Sequence, residues 1–180
     1  SSTVIYSKDL GLFAPYMKTL DEYYEISGDI NGKVKNFTIK DMTLSFGESS
    51  KLVGNISFDG LPNFQETFIE GDLENSFVLA SDIEKYVSSE IYSQAKKLGK
   101  INLDARFVGF PNDFVANGSF KTSIGNIISD INLKIDESTK KSFYSGSLST
   151  INFNIGALTG RPDLVQLINM KGHISGSGFK

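Results

Sequence analysis

The chain has 180 residues and a formal net charge of −3, with 18 basic residues against 21 acidic ones and no cysteine. The lack of cysteine excludes a disulfide scaffold and a zinc–thiolate site, and the lack of a basic cluster argues against nucleic-acid binding. With 39% apolar residues, 14 Phe and 4 Pro, the composition is that of an ordinary globular protein. No apolar run approaches the roughly 20 residues of a membrane-spanning helix.

The first part of the chain predicts short strands separated by turns. A short strand at 4–6 precedes a capped helical turn near Asp9. Apolar residues then alternate, and the phase of the alternation shifts by one residue at places that indicate turns or bulges. Gly28 and Gly32 fall on the apolar parity, where we expect the close approach of a helix or a ligand. Strands are predicted at 24–34, 37–39, 42–46, 52–58 and 77–79, with a less regular stretch at 68–73.

One amphipathic helix is predicted after these strands. Ser81 and Glu84 have the spacing of a capping box, and Gly99 follows Lys96 and Lys97 as a stop signal. The apolar stripe of this helix consists of Ile83, Val87, Ile91, Ala95 and Leu98. Its polar side mixes acidic and basic residues, so we expect the helix to pack against a sheet and not on a membrane surface.

Three consecutive strands at 101–109, 114–120 and 131–135 show the clearest pattern in the sequence. Apolar and polar residues alternate in each of them, which is typical of an antiparallel sheet with one face in water. Burying the large apolar side chains of these strands would contribute about 10–20 kcal/mol. A second sheet, a helix, a partner chain or an apolar ligand is therefore expected to cover that face.

The remainder of the chain predicts strands at 144–148 and 151–155, a brief helix at 161–168, and a glycine-rich strand at 173–179. A short capped helix followed by strands recurs weakly, which divides the chain into units of about 1–80, 81–160 and 161–180. We predict a mostly β fold: an elongated, curved antiparallel sheet, taco-like or solenoid-like, with an apolar concave face and two or three short helices. The chain is expected to be one β-rich fragment of a longer, repeat-like protein.

The sequence offers little material for catalysis. His173 is the single histidine and sits among glycines, and without a second histidine or any cysteine a Ser/His or histidine–metal arrangement has almost no material. No calcium-loop or phosphate-loop motif is present. We therefore predict no enzyme activity, no catalytic residue, no metal and no cofactor.

Several short motifs follow one another in an order that resembles a known family. They are Asp9-Leu10-x-x-Phe13-x-Pro15, Ile26-x-Gly28-x-Ile30-x-Gly32, Leu44-x-Phe46-Gly47, Gly60-Leu61-Pro62, Thr67-Phe68-Ile69, Gly109-Phe110-x-x-Asp113-Phe114-x-x-x-Gly118, Thr122-x-x-Gly125 and Ser129-Asp130-x-Asn132-Leu133. This series is similar to the translocation and assembly module (TamB) family, which is related to the AsmA-like group, in its Bacteroidetes-type form. The resemblance covers nearly the whole chain, as an internal fragment.

The resemblance implies an envelope protein that is tethered to the inner membrane and crosses the periplasm to an Omp85-type outer-membrane barrel. It also implies a long curled sheet whose apolar trough carries phospholipid acyl chains to the outer membrane and serves outer-membrane assembly. On this hypothesis the lipid-contacting residues are Phe37, Ile39, Leu44, Phe46, Ile56, Phe58, Leu103, Phe107, Phe114, Phe120, Leu133, Ile151 and Phe153. The alternative is a structural or adhesin-like β-sandwich that buries its apolar face between two sheets and binds a protein partner.

Overall fold

A computed structural model of the chain describes residues 2–136, 141–161, 163 and 166–178. Within these residues ten strands form one antiparallel sheet, in which every strand pairs with its neighbours in sequence. The sheet is not closed, so β1 and β10 are its two edges. This confirms the predicted mostly β, antiparallel fold. It also shows that the described residues contain one sheet and not the two sheets of a β-sandwich.

The bounds of the elements are as follows. The strands are β1 (Thr3–Tyr6), β2 (Tyr23–Lys33), β3 (Asn36–Phe46), β4 (Ser50–Asp59), β5 (Phe68–Leu79), β6 (Lys100–Phe110), β7 (Asp113–Thr122), β8 (Gly125–Asp136), β9 (Lys141–Asn154) and β10 (Leu167–Ser177). The α-helices are α1 (Ser89–Leu98) and α2 (Ile155–Thr159), and 3-10 helices cover Ser7–Leu12, Pro15–Thr19, Phe64–Glu66 and Ala80–Tyr86. The helical segments outnumber the two or three helices predicted, because isolated 3-10 turns carry no apolar periodicity.

The long helical connections recur at regular places in the meander. They follow β1, β5 and β9, which are four strands apart. Because antiparallel strands alternate in direction, all three connections lie at the same end of the strands, which we call the helical end. The β4–β5 connection, with the helix Phe64–Glu66, lies at the opposite end, which we call the turn end.

Three bulges interrupt the strand pairing in the described ranges, each at a residue with positive φ. These residues are Asp41 in β3, Asn75 in β5 and Asn152 in β9, with φ between 49° and 52°, and Asn and Asp are the side chains that best tolerate this conformation. Each bulged N–H donates to a side-chain oxygen of the next strand: Asn55 at 3.1 Å, Asp104 at 2.7 Å and Asn169 at 2.7 Å. The bulges increase the local bend and twist, and they shift the side chains that follow by one residue.

The phase shift read between Ile39 and Met42 is the bulge at Asp41, so the predicted bulge is confirmed. The predicted close approach of a helix or a ligand to Gly28 is wrong. A Cβ at Gly28 would lie 2.8 Å from both Ile39 Cγ2 and the Lys40 carbonyl oxygen. The close neighbour is therefore the adjacent strand β3, and not a helix or a ligand.

The single helix predicted at 81–98 is two helices in the structure. Val87 is extended, with φ −125° and ψ 163°, and separates the 3-10 helix Ala80–Tyr86 from α1. Ser88 caps α1 by accepting a hydrogen bond from the Ile91 N–H at 3.4 Å. The expected capping by Ser81 is absent, because the 3-10 helix begins after Leu79 without a side-chain cap. Gly99 ends α1, as predicted.

Asp82 explains what holds the first of these two helices in place. Its buried carboxylate accepts hydrogen bonds from the N–H groups of Glu48 at 3.0 Å, Ser49 at 3.2 Å and Ser50 at 2.9 Å, and from Ser50 Oγ at 2.6 Å. Burial alone would raise the pKa of Asp82, but these hydrogen bonds outweigh burial and lower the pKa to about 2. The carboxylate thus fixes the β3–β4 turn to the helical end of β5.

The C-terminal elements also differ from the prediction. The two strands expected at 144–148 and 151–155 are one strand, β9, and Ile155 begins α2, where Asn154 Oδ1 accepts from the Ala157 N–H at 2.9 Å. The last two residues of the helix expected at 161–168 are not helical, since Leu167 and Ile168 begin β10. Residues 162, 164 and 165 of that expected helix lie outside the described residues.

Candidate functional site: the uncharged apolar face

The strand register assigns every paired residue to one of two faces. Residues directly opposite each other in neighbouring antiparallel strands point to the same side, so the pairs Ile39–Ile56, Gly71–Phe107 and Ala116–Ile131 lie on one continuous face from β1 to β10. Among the residues paired in this register, none on that face is charged, and its smaller residues are Gly, Ala, Ser and Thr. We call it the apolar face.

The predicted lipid-contacting residues lie on the apolar face with one exception. Phe37 pairs with Phe58, Leu103 with Phe120 and Phe114 with Leu133, and Phe37 also stacks on Phe58 with ring centroids 5.1 Å apart. Ile39, Leu44, Phe46, Ile56, Phe107 and Phe153 occupy the same face. The register therefore gathers residues of β3, β4, β6, β7, β8 and β9 on one surface.

Ile151 is the exception and requires a correction. It pairs with Asn126 on the opposite face and is 44% exposed, whereas Phe153 is only 5% exposed. The bulge at Asn152 lies between them, so the two side chains point to opposite sides although they are two residues apart. Simple alternation along the sequence assigned both to one face.

Several residues of the apolar face were missed as site residues. The register adds Ile127 and Ile131 of β8, Tyr144 and Leu148 of β9, and Ile174 of β10. The signal for β8 was present in the alternation of its own sequence. The signal for β9 was weak, because Ser and Gly fill many positions of that strand on both faces.

The opposite face is mostly polar but carries several exposed apolar side chains. Phe68 and Phe110 contact each other edge to face, with ring centroids 5.4 Å apart, and are 37% and 42% exposed. Ile128 and Ile151, in neighbouring strands, are 49% and 44% exposed. Shallow recesses on this face are lined mainly by polar side chains, including Asn55, Asp72, Asn75, Asn102 and Asp104.

The described residues show little that resembles a reactive site. His173 is exposed on the edge strand β10 and pairs with Ser147. No group of three or more His, Cys, Asp or Glu in the described ranges is placed to hold a metal ion. In the same part of the chain no helix has the length and apolar character needed to cross a membrane.

Comparison with known proteins returns no relative. No protein-family model, no curated protein and no solved structure matches this chain. The features above define a single-layer antiparallel β protein with one uncharged face. The resemblance to the TamB family stays a prediction.

Proposed function

We propose that this chain is a non-enzymatic segment of an envelope protein, and that its apolar face accommodates the acyl chains of phospholipid. In this proposal the segment belongs to a TamB-like protein that crosses the periplasm from the inner membrane to an Omp85-type barrel, and it serves lipid transport and outer-membrane assembly. One observation carries the proposal. A face without charged residues extends across all ten paired strands of a single sheet.

The energetics support a hydrocarbon ligand. A Phe or Leu side chain of about 200 Å² that is roughly a fifth exposed leaves about 40 Å² to be covered, which is worth about 1 kcal/mol. About ten such side chains would contribute on the order of 10 kcal/mol before the costs of binding. An acyl chain needs no hydrogen-bond partners, which suits a surface built from Phe, Leu, Ile, Gly and Ser.

The test uses photoreactive benzoyl-phenylalanine in place of single Phe residues. The replacement is made at Phe107 or Phe120 on the apolar face, and at Phe143 on the polar face as the matched control, where the side chain is 46% exposed. The variants are irradiated with phosphatidylethanolamine and phosphatidylglycerol vesicles. We expect phospholipid adducts at Phe107 and Phe120 and none at Phe143. Folded variants that give no adduct at either apolar position would rule the proposal out.

A structural role that depends on a protein partner is the second candidate. The exposed pair of Phe68 and Phe110, together with Val115 at 39% exposure, favours it, because these neighbouring apolar side chains are exposed on the mostly polar face. Benzoyl-phenylalanine at Phe110 would then capture one reproducible protein, identified by mass spectrometry, and Phe107 would capture no lipid. The lipid proposal expects the opposite result at Phe107.

A further inference from the structure

Two phenylalanine rings form an exposed pair on the polar face, at the turn end of the sheet. Phe68 of β5 and Phe110 of β6 meet edge to face, with ring planes at 74° and centroids 5.4 Å apart. In such a pair the ring that points its edge at its neighbour keeps both of its own faces free of that neighbour. Since the two residues are 37% and 42% exposed, they offer aromatic surface to a ligand.

Two valines extend this pair into a contiguous patch. Val108 lies two residues before Phe110 on the same strand, and Val115 is directly opposite Val108 in β7. Val115 is 39% exposed and Val108 is half-buried. Single apolar side chains are ordinary on a protein surface, whereas contiguous ones mark contact sites. We call Phe68, Phe110, Val108 and Val115 together the aromatic patch.

Three exposed carboxylates border the aromatic patch. Each is directly opposite one of its members in the strand pairing, and they are Asp59, Glu70 and Asp113. Neighbouring strands bring paired side chains to about 5 Å from each other. The exposed rings are therefore bordered by negative charge.

The cations of the same face leave part of this charge uncompensated. Lys134 forms an ion pair of 3.0 Å with Asp113, and Arg106 lies opposite another carboxylate, Asp72. Asp59 and Glu70 form no ion pair within the part of the chain that the structure describes. A cationic group of another molecule can therefore pair with them.

We infer that the aromatic patch docks a basic segment of a partner protein, with an arginine side chain lying on the rings. A planar guanidinium stacks on an aromatic ring and pairs with a carboxylate at the same time. Asp59 is opposite Phe68, and Glu70 is two residues further along the same face of β5, about 7 Å away. An acidic or a neutral partner would leave these carboxylates desolvated and without a counter-charge.

Docking at the aromatic patch is independent of phospholipid on the apolar face, since the patch lies on the other side of the sheet. It gives the protein partner of the second candidate function a defined chemistry, and in that respect it rests on that candidate. An apolar centre with a charged rim is the usual anatomy of a protein contact, in which a few aromatic and arginine side chains contribute most of the binding free energy. The small size of the patch suits a weak and transient partner.

The test measures the binding of two short peptides to the intact chain by fluorescence anisotropy. One labelled peptide alternates arginine with leucine, and the other carries citrulline in place of arginine, which keeps the shape of the side chain but removes its charge. We expect the arginine peptide to bind about tenfold more tightly at low salt, because only arginine pairs with the carboxylates. Equal affinities, or no binding of either peptide, would overturn the inference.

Substitutions locate the bound peptide. Phe110→Ser should weaken binding of the arginine peptide by about tenfold, and Asp59→Asn and Glu70→Gln by about threefold each. Phe143→Ser and Asp130→Asn are the matched controls, because these residues are exposed on the same face outside the patch. We expect the controls to bind like the wild type. Controls that lose as much affinity as the patch variants would show unspecific attraction to an acidic chain and contradict the inference.

The result is separable from the tests of the proposed functions. Phe107 and Phe120 lie on the apolar face, so an aromatic patch that binds no arginine peptide leaves the phospholipid adducts expected there unaffected. Missing phospholipid adducts, in turn, leave peptide binding unaffected. A partner captured at Phe110 while the two peptides bind equally would keep the second candidate function and overturn the basic chemistry of the partner.

Discussion

Replacing Asp82 by Asn tests how the helical end of the sheet is held together. In the native protein the carboxylate accepts four hydrogen bonds from Glu48, Ser49 and Ser50, and its pKa falls from the ordinary 3.8 to about 2. This depression corresponds to about 2 kcal/mol of stability at neutral pH. An Asn side chain offers one acceptor oxygen and turns an N–H₂ group toward N–H donors. We expect Asp82→Asn to lower the free energy of unfolding by about 2 kcal/mol at pH 7.

The contribution of Asp82 to the free energy of unfolding depends on pH. Because the folded pKa of Asp82 lies below the unfolded one, its stabilisation is complete above about pH 4 and is lost as the pH falls toward about 2. The difference between the wild type and Asp82→Asn should therefore shrink over this window, because the native carboxyl itself becomes protonated. Urea unfolding followed by circular dichroism at several pH values measures both quantities.

Asp9 provides the matched control. It occupies the corresponding place after β1, in the first turn of the 3-10 helix Ser7–Leu12, but it is exposed. We expect Asp9→Asn to change the free energy of unfolding by less than about 0.5 kcal/mol. Two results would refute the reasoning about Asp82: a variant as stable as the wild type at pH 7, or a difference of the same size at about pH 2.5 and pH 7.

Two further predictions concern the bulges. Asn75→Ala places a Cβ-bearing, non-polar residue at φ 52° and should cost about 1 kcal/mol in urea unfolding, while Asn75→Gly should cost less, because glycine adopts this conformation freely; equal losses would contradict the backbone explanation. Phe153→Ala should lower the free energy of unfolding by about 3–5 kcal/mol, and Ile151→Ala by less than about 1 kcal/mol. The reason is that the bulge at Asn152 buries the Phe153 side chain and exposes that of Ile151. Similar losses would show that the two residues do not lie on opposite faces.

At a bulge, the alternation of apolar and polar residues along the sequence no longer tells which face of the sheet a side chain occupies. In β3 the phase change after Ile39 is visible, because apolar residues on both sides of Asp41 reveal it. In β9 the phase of the alternation changes after Leu148, but Ile151, Phe153 and Ile155 alternate among themselves, so the pattern does not show that the extra residue lies between Ile151 and Phe153. The structure places Ile151 on the polar face because Asn152 is bulged and its N–H is satisfied by Asn169, a residue seventeen positions away.

The segment 80–98 is a second place where local sequence was not sufficient, since one predicted helix is two helices in the structure. Its apolar stripe and its C-terminal stop are local features, and α1 ends at Gly99 accordingly. Its N-terminal half instead follows two distant contacts, from Asp82 to the β3–β4 turn and from Tyr86 to Tyr24. These contacts favour a 3-10 helix and a break at Val87 over the continuous α-helix that the spacing of Ser81 and Glu84 predicts.

The sequence alone determined the class of fold and the chemistry of one face. Period-two alternation is a local property of each strand, so it predicts an antiparallel sheet with one apolar and one polar face before any strand pairing is known. Only the tertiary structure decided that the ten strands make one open layer and that the bulges restore the phase of the alternation. The packing of Phe64 against the buried cluster around Met17 likewise depends on contacts between segments far apart in the chain, and no local pattern encodes it.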